Sequence, residues 1–448
     1  MKLLHVFIFI CAFSISKGYA QEITGTWYGS ANIGAVQLRI IFEIEKTEDG
    51  YKGTMQSPDQ SNRKIPITSI SYDAAVLTIR IPMIGFTYDG IVTEEGTIKG
   101  SFQQMGNTLE LNLSKEEVAR IRPQEPKPEF PYRIEEVTFT NEEAGIKLAG
   151  TLTLPAAEGQ YPAVILITGS GPQNRDEELF GHKPFLVIAD YLTRNGVIVL
   201  RYDERGVGES EGNYSTASIP EFSADALGAV NYLKSHKEVN AKRVGAIGHS
   251  EGGCVAFGLA AKAEVSYIIN LAAPGVAGEE LLNLQREAIF KTSGASDEFI
   301  AQYNSLMTQT QRLAIEISDK EELEKKVTEL FSGSLFSSQV KETVKQLSSP
   351  GFKGLMMYNP AVDFKNITCP VLALNGGKDL QVPAKINLKA IEEGISSNGN
   401  TQVTTKEYPG LNHLFQTANS GLPVEYGQIE ETFNPVVLKD ILDWILLR

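Results

Sequence analysis

Three residues far apart in the chain have the types needed to open an acyl carbonyl. Ser250 stands in Gly248-His249-Ser250-Glu251-Gly252. Asp379 comes shortly after the apolar run Pro370-Val371-Leu372-Ala373-Leu374, and His413 ends Gly410-Leu411-Asn412-His413. A serine hydroxyl is a weak nucleophile until a base takes its proton, and imidazole is the side chain suited to that near neutral pH. His413 is the only histidine C-terminal to Ser250. A carboxylate behind the imidazole holds its tautomer and stabilises the imidazolium, and Asp379 is the acid placed for that task. Asp363 competes, but it precedes the apolar strand and would lie at its other end.

The elements around each residue decide which candidates can act. The pattern G-x-S-x-G occurs twice, at Ser250 and at Gly208-Glu209-Ser210-Glu211-Gly212. A nucleophile elbow needs a strand directly before the serine and a helix directly after it. Ser210 follows the polar loop Asp203-Glu204-Arg205-Gly206-Val207 and precedes Asn213-Tyr214-Ser215-Thr216, which is turn-like. Ser250 follows the apolar strand Arg243-Val244-Gly245-Ala246-Ile247 and precedes the small-residue helix Gly253-Cys254-Val255-Ala256-Phe257. Ser250 is therefore the expected nucleophile and Ser210 a structural serine.

An oxyanion needs two backbone N–H donors. One is expected from Glu251, directly after the nucleophile. The other is expected from Ser170 in Thr168-Gly169-Ser170-Gly171-Pro172, where Pro172 cannot donate and Gly169 and Gly171 allow a substrate close approach. His182, in Phe180-Gly181-His182-Lys183-Pro184, and His249 are further candidates for lining the site, although His249 is expected to pack away from its neighbour Ser250. His236 lies between Lys234 and Lys237 near a helix end and reads as a surface residue. There is no H-E-x-x-H and no C-x-x-C, so no metal is expected. The glycine loops lack the spacing of a phosphate-binding loop.

Residues 21–118 alternate apolar and polar in short runs such as 36–40 and 108–113, with turns at Asp49-Gly50, Asp89-Gly90 and Glu95-Gly96. This is the pattern of a small antiparallel β-domain, a sandwich or a barrel. Gly25-Thr26-Trp27 resembles the opening of lipocalins. Residues 119–132 carry a proline-rich stretch, four prolines between Arg122 and Pro131, and read as an extended, semi-rigid linker. From 133 to 448 apolar strands alternate with helices. Strands are expected at 136–141, 147–154, 163–167, 197–202, 244–247, 267–271, 371–374 and 402–408, and helices at 183–195 and 223–235, among others. That is an α/β arrangement with a mostly parallel sheet buried on both faces. Four helices, at 279–292, 297–317, 320–331 and 339–347, fill the gap before the strand that leads to Asp379. A helical cap over about 279–350 is the expected use of that insertion.

Composition narrows the partners. The formal charge of −14 argues against nucleic acid, whose phosphates require a basic face. Residues 1–20 have a charged start, an apolar core and Gly18-Tyr19-Ala20 before Gln21. That is a secretory signal, so the protein is expected to be exported, periplasmic or extracellular. No segment suits stable membrane insertion. Removal of the signal leaves Cys254 and Cys369. They sit at opposite ends of the sheet, a strand length of about 17–20 Å apart, so two free, buried thiols are expected rather than a disulfide.

These residues carry a family resemblance. The region from about 133 to 448 resembles the α/β-hydrolase superfamily, especially EstD-like carboxylesterases and serine-aminopeptidase-like hydrolases of the prolyl-iminopeptidase type. The likeness rests on Thr168-Gly169-Ser170-Gly171-Pro172, on residues 201–210 (RYDERGVGES), on the Ser250 elbow, on Gly376-Gly377-Lys378-Asp379 and on Gly410-Leu411-Asn412-His413. Many members have His-Gly at the oxyanion strand where this chain has Thr168-Gly169. The resemblance implies an α/β-hydrolase fold with a helical cap, preceded here by the all-β domain. It implies a serine esterase that needs no cofactor and acts on a small acyl ester. A serine aminopeptidase, an acyl thioesterase and a non-catalytic binding protein are the alternatives.

Overall fold

Alternating burial builds the N-terminal sheet. In Phe86–Val92 the residues Phe86, Tyr88, Gly90 and Val92 are buried, while Asp89 and Ile91 face out. The structure is a computed structural model that describes residues 22–33, 36–59, 61–104, 106–117, 122–334 and 336–448. The proposed signal lies outside these residues. Two compact units, 1–119 and 120–448, divide the chain.

The first unit is one antiparallel sheet of ten strands among the described residues. Its core gathers Trp27, Phe42, Phe86, Tyr88 and Phe102. The sheet curls on itself rather than splitting into a two-sheet sandwich. Neighbouring residues bond to opposite ends of it: Ile67 N–H donates to Gly53 O at 2.9 Å and Thr68 N–H to Arg80 O at 3.1 Å. Asp89-Gly90 is not a turn. It lies inside Phe86–Val92, where a Cβ on Gly90 would stand 2.4 Å from Tyr88 Oη. The glycine makes room for the tyrosine, a packing demand that mimics a turn signal in sequence.

The second unit carries an eight-stranded sheet. Its strands are β1 (Tyr132–Asn141), β2 (Ile146–Pro155), β3 (Tyr161–Ile167), β4 (Ile198–Tyr202), β5 (Val239–His249), β6 (Tyr267–Leu271), β7 (Val371–Gly376) and β8 (Val403–Tyr408). Their order is β1-β2-β4-β3-β5-β6-β7-β8. Only β2 runs against the others. Helix α1 (Pro184–Arg194) follows β3, α2 (Ile219–Ser235) follows β4 and α3 (Glu251–Ala261) follows β5. After β6 come α4 (Gly278–Thr292), α5 (Asp297–Glu316), α6 (Lys320–Phe331), α7 (Val340–Leu347) and α8 (Pro350–Met357). Then α9 (Ala384–Ser396) follows β7 and α10 (Pro435–Leu446) follows β8.

Both faces of the sheet are covered. In β3, Ala163, Ile165 and Ile167 join the core under α2, α3 and α9. Val164 and Leu166 join the core under α1 and α10. This explains the unbroken apolar strands, since each residue points into one core or the other. The inserted helices have a core of their own, with Leu282, Met307, Leu323, Val327, Phe331 and Val344.

Three expectations about elements need correction. Helix α2 starts four residues earlier than its apolar pattern suggests. Glu221 Oε2 accepts from the Ser218 N–H at 2.9 Å and from the Ser218 hydroxyl at 2.6 Å, which holds the first turn. The insertion has a fifth helix, α8, hidden in sequence by Gly351 and Gly354; Pro350 sits at its start, where a missing N–H costs nothing. Most telling, the proline-rich stretch is not a free spacer. Arg122 donates to the carbonyls of Gly181, Phe180, Ile429 and Gly427 at 2.7–3.3 Å. Gln124 donates to Phe433 O and accepts from the N–H groups of Thr432 and Phe433. Both residues belong to the second unit.

The described cysteines are free: Cys254 is buried, and Cys369 is partly exposed rather than fully buried.

Candidate active site

The elbow between β5 and α3 is strained in the way a protruding nucleophile requires. Ser250 has φ +52° and ψ −119°, a conformation that costs a non-glycine residue about 1–3 kcal/mol. Its N–H donates to Leu271 O at 2.9 Å, which ties the turn to β6. The flanking glycines are needed for closeness. A Cβ on Gly248 would stand 2.2 Å from Gly252 O, and one on Gly252 would stand 2.2 Å from Ile167 O.

Asp379 and His413 meet. They leave the ends of β7 and β8, and His413 Nδ1 lies 2.7 Å from Asp379 Oδ2, both side chains being buried. The second carboxylate oxygen accepts from Gln381 N–H and Val382 N–H at 2.8 Å each. A carboxylate held this way assigns the proton to Nδ1 and leaves Nε2 as the basic nitrogen. The loop that carries His413 is stiffened by the fully buried Asn412, whose Oδ1 accepts from Leu414 N–H and Gln416 N–H. Among the described residues no hydrogen bond joins Ser250 Oγ to His413. Such bonds are often long without substrate and tighten when it binds.

The two rival residues are occupied elsewhere. Ser210 Oγ accepts from Ala149 N–H at 3.0 Å and donates to Asp203 O at 2.7 Å. It fastens β2 to the loop after β4. Asp363 Oδ2 accepts from Tyr358 Oη–H at 2.7 Å and makes no contact with His413 among the described residues.

The glycine loop after β3 is pinned at nearly every polar group. Thr168 Oγ1 donates to Glu204 Oε1 at 2.7 Å, and Gly169 N–H donates to Glu177 Oε1 at 2.7 Å. Gly171 N–H donates to Tyr214 Oη at 2.9 Å, and Gln173 N–H donates to Glu204 Oε2 at 3.0 Å. Among the described residues the amide of Ser170 has no acceptor. The amide of Glu251, at the first position of α3, has none either. Gly169 and Gly171 are thus removed as free donors.

His182 is a fastener, not a lining residue. It is fully buried, with Nδ1 2.9 Å from Thr432 Oγ1 and Nε2 2.9 Å from both Tyr426 O and Gln416 Nε2. His249 is buried as expected but is not mere packing. Its Nδ1 meets Glu177 Oε1 at 2.8 Å. Glu177 escapes a sequence reading because it lies in a run of charges, Arg175-Asp176-Glu177-Glu178, which looks like surface. Its partner is 72 residues away.

Behind the elbow lies a cavity of about 10 Å³, lined by Gly169, Glu204, Glu251 and Gly252 among others. That is close to the smallest space that holds one water. Glu251 Oε1 is buried there with no hydrogen-bond partner. Burial pushes its carboxyl up to about 7 from an ordinary 4.5. Burial also raises Glu204 well above the usual range, with Glu251 and Glu177 as neighbouring negative charges and with bonds from Gln173 and Thr168 opposing the rise.

A carboxyl whose folded pKa is raised binds its proton more tightly in the folded state. Stability is therefore lost as pH climbs from about 4.5 to about 7, on the order of 3 kcal/mol at full ionisation. Glu251→Gln is expected to raise the melting temperature by several degrees at pH 8 and to change it little at pH 4.5. Thermal melts at the two pH values check this, and an equal gain at both would contradict it.

A parallel sheet of this order with one reversed strand, a strand–serine–helix elbow and a His–Asp pair on the last two strand ends define the architecture. The chain resembles the α/β-hydrolase superfamily in this architecture and in the relatives it matches. Residues 184–329 match the family described as serine aminopeptidase, S33. The chain resembles the esterase EstD of Thermotoga maritima, 28% identical over 323 residues, which covers 71% of this chain and 70% of that protein. It is 32% identical over 120 residues to the thiohydrolase aneE of Aspergillus aculeatus, covering 26% of this chain and 34% of that one. Among solved structures it is similar to the Pyrococcus furiosus esterase Pf2001, with 19% identity, 62% of this chain and 82% of that chain covered, and a TM-score of 0.40. The α/β hydrolase GrgF from Penicillium sp. sh18 has 16% identity, coverage of 70% and 98%, and a TM-score of 0.45.

Proposed function

We propose that this protein is a carboxylic ester hydrolase that works through an acyl-enzyme on Ser250. The observation that carries the proposal is the amide census of the site. Beside a strained serine, the N–H groups of Gly169, Gly171 and Gln173 in the neighbouring loop are bonded within the protein, while among the described residues those of Ser170 and Glu251 have no acceptor. In this reading Ser250 Oγ attacks the ester carbonyl as His413 Nε2 takes its proton. Asp379 holds the imidazole and stabilises its positive charge. The N–H groups of Ser170 and Glu251 receive the charge that develops on the carbonyl oxygen. His413 returns the proton to the leaving alcohol, and water repeats the sequence to release the acid.

The inserted helices act as a cap in this proposal. Leu284 of α4 shares a cleft of about 410 Å³ with Gly377, Asp379 and Ile386, which supports an insert that reaches the loop carrying the acid. Apolar walls reward acyl chains but separate neighbours only by about 1–3 kcal/mol per methylene.

The serine aminopeptidase match over 184–329 favours a second reading, cleavage next to a free α-amine. A site built around a charged amine loses far more when that amine is absent. The purified protein is expected to hydrolyse several short and medium p-nitrophenyl esters. It should leave aminoacyl p-nitroanilides nearly untouched, whether free or N-acetylated. Fast cleavage of free-amine anilides, lost on acetylation and accompanied by negligible ester hydrolysis, would reverse the assignment.

A further inference from the structure

Two buried ionisable groups beside the nucleophile have no part in the steps above. His249 directly precedes Ser250 and is 5% exposed, and Glu177 is 2% exposed. His249 Nδ1 lies 2.8 Å from Glu177 Oε1, and its Nε2 lies 3.1 Å from the main-chain carbonyl oxygen of His413. Glu177 Oε1 also accepts the Gly169 N–H at 2.7 Å. The His249 and His413 rings stand with centroids 4.8 Å apart. Gly169 fits between the parts. A Cβ built on it would lie 3.2 Å from Ser250 Cβ, 3.3 Å from Glu177 Oε1 and 3.4 Å from His249 Nδ1. The end of β5 and the segments that follow β3 and β8 therefore meet at one pair of side chains.

We propose that Glu177 and His249 form a positioning clamp, which holds the oxyanion loop through the Gly169 amide and the base-bearing loop through the His413 carbonyl, both against the Ser250 elbow. The proposal rests on the serine-hydrolase reading above. Neither residue touches the reacting atoms.

The protonation of His249 follows from its partners. A carbonyl oxygen can only accept, so Nε2 carries a proton. Glu177 Oε1 already accepts from Gly169, and as a carboxylate it accepts from Nδ1 as well. Both ring nitrogens are then donors, and His249 is an imidazolium. Burial works against that charge. The Glu177 charge and hydrogen bond, the His413 carbonyl and the Asp379 charge outweigh it and raise the His249 pKa. The pairing has a second use. A lone carboxylate beside Gly169 would repel negative charge growing at Ser170 N–H. A carboxylate compensated by an imidazolium presents only a dipole there.

The clamp is tested by two readings on the full chain. With ¹⁵N-labelled histidine, both ring nitrogens of His249 are expected to show the imidazolium signature at pH 6.5, the ordinary midpoint that its partners raise, and to lose it in Glu177→Gln. His249→Phe is expected to lower kcat on p-nitrophenyl esters by about 10²-fold, the scale of a misplaced catalytic group, with KM changed less than about threefold. That single variant leaves Glu177 buried and unpaired and can unfold. The double variant Glu177→Met with His249→Phe replaces the pair with apolar side chains of similar size. It is expected to melt within a few degrees of the native protein while kcat stays low. A neutral His249 at pH 6.5, or a folded double variant with native kcat, would overturn the clamp. The two failures are distinguishable. A native protein inert to esters and to fluorophosphonate would overturn the serine-hydrolase reading, and with it the catalytic use of the clamp, even with the imidazolium intact. A neutral His249 in an active enzyme would overturn the clamp alone.

Discussion

Ser250→Ala is expected to lower turnover of a p-nitrophenyl ester by at least about 10⁴-fold and to abolish labelling by a fluorophosphonate. Removal of a nucleophile whose base and oxyanion donors act with it costs nearly the whole of their joint effect, since none of them completes the reaction without it. The substitution should leave the fold intact. The serine is only partly buried, and its main-chain bond to Leu271 O does not involve the side chain. Ser210→Ala is the matched control, because the same five-residue pattern surrounds it. Its hydroxyl is committed to Ala149 N–H and Asp203 O, so its loss costs stability, about 1–3 kcal/mol for the buried groups left unpaired, and leaves labelling in place. Mass-spectrometric mapping of the labelled peptide decides between them. A label found on Ser210 in the Ser250→Ala protein would remove Ser250 from the mechanism.

The second large effect is expected at Asp379. In Asp379→Asn the amide oxygen can keep the bonds from Gln381 and Val382 N–H. The amide nitrogen then faces His413 Nδ1 and donates to it. The imidazole is forced to carry its proton on Nε2, the nitrogen that must be free to take one from the serine. A drop in kcat of about 10⁴-fold follows from the wrong tautomer alone, with circular dichroism and melting close to native. Asp363→Asn keeps an acceptor for Tyr358 and should stay active. Equal losses from the two substitutions in folded proteins would mean that the acid has been misplaced.

What the chain discloses in advance is what neighbours in sequence determine. The central strands of the second unit are legible because they are buried on both faces, and Ser250 stands out from Ser210 because a strand and a helix adjoin it directly. Asp379 and His413 follow the last two strands of the sheet, β7 and β8, which the sequence places directly before them. Contacts made only in space leave no local mark. Glu177 sits in a charged run and becomes a buried partner of His249 only when the segment after β3 meets the end of β5. Gly90 carries a turn signal for a packing reason. His182 resembles a candidate site residue, yet its ring serves Thr432, Tyr426 and Gln416. The proline-rich stretch misleads for the same cause, since composition records its stiffness but not the carbonyls that receive Arg122.

That last feature sets a clock on synthesis. The bonds from Arg122 and Gln124 span 305, 307 and 309 positions of chain. They join the first residues of the second unit to a segment near its very end. None of them can form until residues 427–433 have been added. At roughly 5–20 residues per second a ribosome takes about a quarter of a minute to a minute to cover that distance. Arg122 can reach the carbonyls of Phe180 and Gly181, 58 and 59 positions on, as soon as they emerge, but its bonds to Gly427 and Ile429 must wait for the last stretch of the unit. The parallel sheet can begin to pair strand by strand as it emerges, but the edge that carries the base is closed last, by the oldest part of the unit meeting the newest.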